Sequence, residues 1–188
     1  MNFIFDGHEC EDFDEHWGFA DFKNKIVLDF GADSGSTPAY FLSRGAKWVI
    51  AVSGRADYNG LVANIQKFGW NNVTAINRWI SSSQDFIDLI ETYHPDIVKC
   101  DLDPETRTCK LCELYLMECP DDILKLVPEY LIEWHDNESP ECVRPNEMLY
   151  KWPERFDPLG YSICLKFHSG IVVWARKKNG NINQSTST

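Results

Sequence analysis

Short runs of consecutive apolar residues alternate along this chain with segments whose apolar positions recur every three or four residues. The first run, KIVLDF at 25–30, rests on Ile26, Val27 and Leu28 and predicts a strand buried on both faces. TPAYFLSRG follows as a helix. Thr37 suits its cap, Pro38 its first turn, and Gly45 its end. KWVIAV is a second buried strand, and YNGLVANIQKFG a helix with Leu61, Ile65 and Phe68 on one face. NNVTAIN predicts a third strand. SSSQDFIDLIETYH predicts a serine-capped helix that turns Phe86, Leu89 and Ile90 inward, and DIVKCDLD a fourth strand. PDDILKLVP reads as helical and EYLIEWH as a fifth strand. The last pattern differs. YSICLKFHSGIVVWARK is two strands joined by a tight turn at His168, Ser169 and Gly170, hence an antiparallel hairpin.

Strands separated by single helices imply right-handed crossover units, a parallel sheet and helices on both its faces. The length of 188 residues suits one domain. We place it at residues 25–178, after an N-terminal appendage at 1–24 and before a polar, flexible tail at 179–188. Hydrophobic residues make up 44% of the chain, enough for a real core.

Charge and cysteine usage narrow the setting. A net charge of −11 argues against a nucleic-acid partner, which needs clustered Lys and Arg. No run approaches a membrane span, so no membrane partner is expected. The N-terminus has no basic region followed by an apolar core, so it does not read as a signal peptide, and a cytoplasmic location is expected. The seven cysteines, an odd number, fit a reducing compartment. Of these, Cys100 and Cys164 lie in apolar runs and read as small core residues.

In parallel sheets a ligand binds beyond the carboxyl ends of the strands, beside strand one. The turn there runs Asp29-Phe30-Gly31-Ala32-Asp33-Ser34-Gly35. Asp33 stands where the dinucleotide fingerprint needs its second glycine, and the Lys and Ser/Thr of a phosphate-cradling loop are missing. A D-x-G-x-x-x-G turn remains. It suits a ligand without a pyrophosphate, with an acid to meet a cationic or hydroxyl group.

This turn resembles motif I of the Rossmann-like, S-adenosylmethionine-dependent methyltransferases. The wider pattern is similar to the FkbM-type branch over roughly residues 21–176. The residues that carry it are IVLDFGADSGSTPAYFLSRGAKWVIAVSG, Asn64, NNVTAIN, Lys99-Cys100-Asp101-Leu102-Asp103, CELYL from Cys112, and YLIEWH. The resemblance implies a Rossmann-like methyltransferase sandwich: a mostly parallel, seven-stranded sheet closed by a C-terminal antiparallel hairpin. It also implies S-adenosylmethionine as cofactor, held along Asp29, Gly31, Ala32 and Gly35. In the family an acid at the end of strand two accepts bonds from both ribose hydroxyls. Ser53 stands there instead, and Asp57 can reach back to compensate. The resemblance further implies methylation of an oxygen on a small molecule or glycan. The alternative is a binding or scaffold protein on the same fold, with cofactor affinity weakened at Ser53.

Candidates for the transfer itself stand at the carboxyl ends of strands four and five. His135 is a general base near neutral pH or a surface histidine. Asp101 and Asp103 orient the acceptor and take its proton, or are a helix cap and a solvated loop acid. No metal is expected at these acids. Nor is one expected at Cys109, Cys112 and Cys119, where zinc would need a fourth ligand from Cys142 or His135. The segment DNESPECVRPNEMLYKWPERFDPLGYS lies over the carboxyl face. Its Tyr150, Trp152 and Phe156 either stack on an acceptor or pack onto the sheet edge.

Overall fold

The computed structural model describes residues 12–102, 112–135, 150–167 and 171–178. A seven-stranded sheet runs through the centre in the order β3-β2-β1-β4-β5-β7-β6. Its strands are β1 (Ile26–Phe30), β2 (Trp48–Ser53), β3 (Val73–Asn77), β4 (Ile97–Cys100), β5 (Glu129–Trp134), β6 (Tyr161–Phe167) and β7 (Ile171–Lys177). The first five are parallel; β7 lies antiparallel against β5, and β6 against β7. The order reverses between β1 and β4, so the carboxyl end of β1 opens at the switch point.

Among the described residues the α-helices are α1 (Phe13–Trp17), α2 (Ser36–Ser43), α3 (Arg55–Phe68), α4 (Ser83–Tyr93), α5 (Cys112–Met117), α6 (Asp121–Leu124) and α7 (Lys151–Phe156). Local chemistry sets their ends. In α3 the left-handed Gly69 (φ 67°) stops the helix. Ahead of α4, Asp85 reaches back to accept from the backbone N–H groups of Ser81 (2.9 Å) and Ser82 (3.0 Å).

Each sheet face carries its own core. Leu28, Phe30, Ile50, Val52, Phe86 and Val98 share one. Val27, Phe41, Val49, Ile97, Leu131 and Val172 share the other, and Trp17 and Phe22 from the N-terminal segment are buried with them. Strand alternation then fixes which polar residues face which core. Asp29 points the way of Val27, and Lys99 the way of Ile97, so both enter the second face. They are direct partners in the β1–β4 register.

Candidate functional site

The turn after β1 is shaped by the chain itself. Gly31 has φ +85°, and a Cβ there would overlap the backbone carbonyl of Asp101. Gly35 has φ +107°, and a Cβ would meet the Trp70 ring at 3.1 Å and Leu61 at 3.2 Å. Both glycines are therefore required by the approach of the loop after β4 and by the packing of α3 and Trp70. Gly60 of α3 lets that helix close on the turn, since a Cβ would meet Ser34 Oγ at 2.7 Å. Asn64 then donates from Nδ2 to the Ser34 carbonyl at 2.8 Å. Asp33, with φ 45°, carries the turn through its left-handed position.

Behind the turn lies a buried ion cluster. Asp29 has no exposed surface; its Oδ2 accepts from Thr37 Oγ1 at 2.6 Å, and its Oδ1 lies 3.1 Å from Lys99 Nζ. That Oδ1 accepts no well-directed hydrogen bond, so the acid has capacity for a further donor. Lys99, also without exposure, donates to the Gly31 carbonyl at 2.8 Å and lies 3.2 Å from Asp101 Oδ2. Burial works against its charge. Asp101, Asp29 and Asp33 more than offset that and hold its pKa above the ordinary lysine value. Burial pushes Asp29 upward, while Lys99 and Thr37 pull it down. Asp33 stands at the mouth. Its side chain is open to water, yet the crowded turn and the carboxylates of Asp101, Asp29 and Asp57 move it up to about 6 against the pull of Lys99.

His135 follows β5 directly. Its Nε2 lies 3.5 Å from Asp101 Oδ1, and its Nδ1 lies 2.7 Å from Oε1 of Glu113 on α5. The same Oε1 accepts the His135 backbone N–H at 3.1 Å. Burial opposes the imidazolium, but Glu113, Asp101 and Glu133 raise its pKa to about 9. The resting group at neutral pH is thus cationic. Asp101, Glu133 and His135 bring polar atoms within 4.8 Å of one another. Two cations of the protein stand in or beside this cluster: the Lys99 ammonium and the His135 imidazolium.

At the other rim, Ser53 ends β2 and is buried, while Asp57 is exposed in the first turn of α3. Trp79, exposed just past β3, sits against Gly54, where a Cβ would meet its ring at 3.2 Å. The structure thus brings Asp29, Gly31, Ala32, Gly35, Asp101 and His135 to one place, with Ser53 and Asp57 beside it. Asp103, Cys109, Cys142 and the 168–170 turn lie outside the described residues.

Lys99, Glu113 and Trp79 belong to the site region without having been given a role there from the sequence. A lysine inside the apolar run DIVKC was the available signal for the first, since a buried cation needs partners. Glu113 and Trp79 carry no such mark. Of the aromatics after β5, Trp152 and Phe156 are completely buried, with Phe156 edge-on to Tyr130 and Tyr161. They pack the core and do not face an acceptor. Tyr150 is exposed. Cys112 and Cys119 are buried, with their sulfurs directed at the Ile80 and Ser83 carbonyls, and burial pushes the Cys119 thiol up to about 12, the state of a packed thiol and not of a nucleophile. Cys164, expected in the core, is exposed on β6 because alternation turns it outward on the edge strand.

No family model matches the sequence, and no curated protein matches it. Solved structures do match. The Methanococcus jannaschii fibrillarin pre-rRNA processing protein aligns at TM-score 0.56 and 14% identity, over 85% of this chain and 70% of that one. The ribosomal protein L11 methylase from Lactobacillus delbrueckii subsp. bulgaricus aligns at TM-score 0.56 and 14% identity, over 86% and 74%. The precorrin-6y C5,15-methyltransferase from Geobacter metallireducens aligns at TM-score 0.53 and 17% identity, over 82% of each. The fold is that of the Rossmann-like methyltransferases.

One expectation from the sequence is overturned here. The net charge excluded nucleic acid as a partner, yet a pre-rRNA processing protein is built on this same sheet. Net charge sums the whole surface, whereas binding to phosphates depends on where cations are placed locally. The exclusion is withdrawn. Among the described residues, no helix is long and apolar enough to cross a membrane.

Proposed function

We propose that this protein is an S-adenosylmethionine-dependent methyltransferase of the FkbM-like kind. The observation that carries the reading is the D-x-G-x-x-x-G turn at the switch point of a methyltransferase-ordered sheet, ringed by Asp29, Asp33, Asp57 and Asp101. The cofactor carries a sulfonium and an ammonium, and an acidic mouth suits both. The free capacity of the buried Asp29 Oδ1 supports the fit. When bound, the cofactor supplies an electrophilic methyl group.

In this reading Asp29 and the backbone of Gly31, Ala32 and Gly35 line the methionine end. Ser53 gives the ribose one uncharged acceptor, and Asp57 stands within reach of the same rim. Trp79 offers a flat face beside Gly54 for the base. At the acceptor side we propose Asp101 and His135 as the groups that orient a hydroxyl and take its proton, with Asp103 a third candidate. An oxygen on a small molecule or glycan is the acceptor proposed from the FkbM-like residues.

Calorimetry of the full chain with S-adenosylmethionine and S-adenosylhomocysteine tests the cofactor. Failure of both at millimolar concentration would leave the non-catalytic reading, which the uncharged Ser53 favours. Labelled methyl transfer to hydroxylated small molecules, glycans and RNA then tests the acceptor. Transfer to RNA alone would refute the small-molecule or glycan assignment.

A further inference from the structure

The proton that methylation of a hydroxyl releases needs a defined place to go. When the oxygen forms its bond to the methyl carbon, the sulfur–methyl electron pair returns to sulfur. The hydroxyl proton must then pass to a base. His135 can take it only on a nitrogen that bears a lone pair and is not turned into the protein.

We propose that Glu113 is the positioning residue for this step: it holds the His135 ring with Nδ1–H directed inward, so that Nε2, beside Asp101, is the nitrogen that exchanges the acceptor's proton. This deepens the methyltransferase reading and rests on it for the acceptor; the arrangement of the ring does not.

Three observations carry it. First, Glu113 has no exposed surface, and burying a carboxylate is costly unless it is paired. The partners found for it are the His135 ring and the His135 backbone, both on the single oxygen Oε1. Anchored to the ring and the main chain of one residue, the carboxylate leaves the imidazole little freedom to turn. Second, the contact of 2.7 Å to Nδ1 is that of a charge-assisted bond, so Nδ1 is the protonated nitrogen in the neutral ring. Third, the opposite nitrogen stands 3.5 Å from Asp101, whose other oxygen is held by Lys99, which in turn meets Asp29. The chain Glu113–His135–Asp101–Lys99–Asp29 thus joins the acceptor side to the turn after β1.

The charges facing the imidazole come from each neighbouring element: Glu113 from α5, Asp101 from the end of β4, and Glu133 from β5 itself, with Lys99 behind Asp101. Three carboxylates favour the imidazolium. The ring therefore rests protonated at neutral pH and becomes a base as the pH rises toward about 9.

The test uses nitrogen-15 spectra of the histidines of the full chain, titrated from acid to alkaline pH without cofactor or acceptor. The five histidines are told apart by H135Q. The expected neutral form of His135 is protonated on Nδ1, with a midpoint well above an ordinary histidine. E113Q keeps an oxygen that can accept both bonds and removes only the charge. It should lower the midpoint by about one pH unit or more. D101N should lower it without changing the tautomer. A neutral form protonated on Nε2, or a midpoint that E113Q leaves in place, would overturn the proposal. A merely structural Glu113 would move the melting temperature and neither of these. Should E113Q fail to fold, the tautomer in the unaltered protein decides. None of these readings needs the cofactor, so failure of the methyltransferase reading in calorimetry remains distinguishable.

Discussion

Lys99 Nζ lies 3.1 Å from Asp29 Oδ1, and neither side chain reaches water. The two are register partners on adjacent central strands, so the pair is set by the β1–β4 pairing and not by flexible side chains. Removing the lysine leaves the Asp29 carboxylate buried without a counter-ion, which costs ~3–5 kcal/mol. K99M should lose stability on that scale in denaturant unfolding. D29N/K99M should recover part of it, because the stranded carboxylate is gone. If the double variant is no more stable than K99M, Asp29 is not the group that requires the lysine.

Gly31 and Gly69 make a matched comparison. Both have positive φ, at +85° and +67°. A Cβ on Gly69 meets nothing within 4 Å, whereas one on Gly31 overlaps the Asp101 carbonyl. G69A should cost only the left-handed backbone penalty, ~1–2 kcal/mol. G31A adds displacement of the loop after β4 and should cost more, with loss of cofactor binding because Asp101 moves. Equal losses in thermal unfolding would mean that the loop yields freely.

The central strands β1, β2, β4 and β5 were legible because each is buried on two faces and so reads as a near-continuous apolar run. KIVLDF, KWVIAV and EYLIEWH all fall on observed strands. The turn after β1 was legible as a ligand turn, but the reason for its glycines was not. Their neighbours are Asp101, Trp70 and Leu61, which are brought there by crossovers that sequence spacing does not encode. The same holds for Glu113. It precedes His135 by a helix and a strand, and only the fold sets its carboxylate against the ring. Trp152 and Phe156 sat in a Pro- and acid-rich segment that read as a loop over the face. A short helix there turns both rings into the core instead.

Ser53 offers a gain-of-binding test. A charged acceptor bond is worth ~1.5–3 kcal/mol against ~0.5–1.5 for a neutral one. S53E should therefore tighten S-adenosylhomocysteine by ~1–2 kcal/mol in calorimetry. The position is buried, so the same change should lower the stability of the ligand-free protein. Opposite movements of the two quantities are expected. Unchanged affinity would mean that Asp57 already holds the ribose or that the cofactor does not lie here.

His135 gives the fold a pH dependence whose sign is fixed. Its pKa rises to about 9 in the folded protein, against about 6.5 in an unfolded chain. A group that binds its proton more tightly when folded stabilises fully below the unfolded value. That contribution is lost as the pH climbs through the folded value. The relevant window therefore runs from about 6.5 to about 9, and the most that His135 can contribute is ~3 kcal/mol. Unfolding free energies of the unaltered protein and H135Q, measured across this window, should converge as the pH rises. Other titrations are common to both proteins and cancel in the difference. A difference that stays constant with pH would mean that Glu113 and Asp101 do not hold the imidazolium.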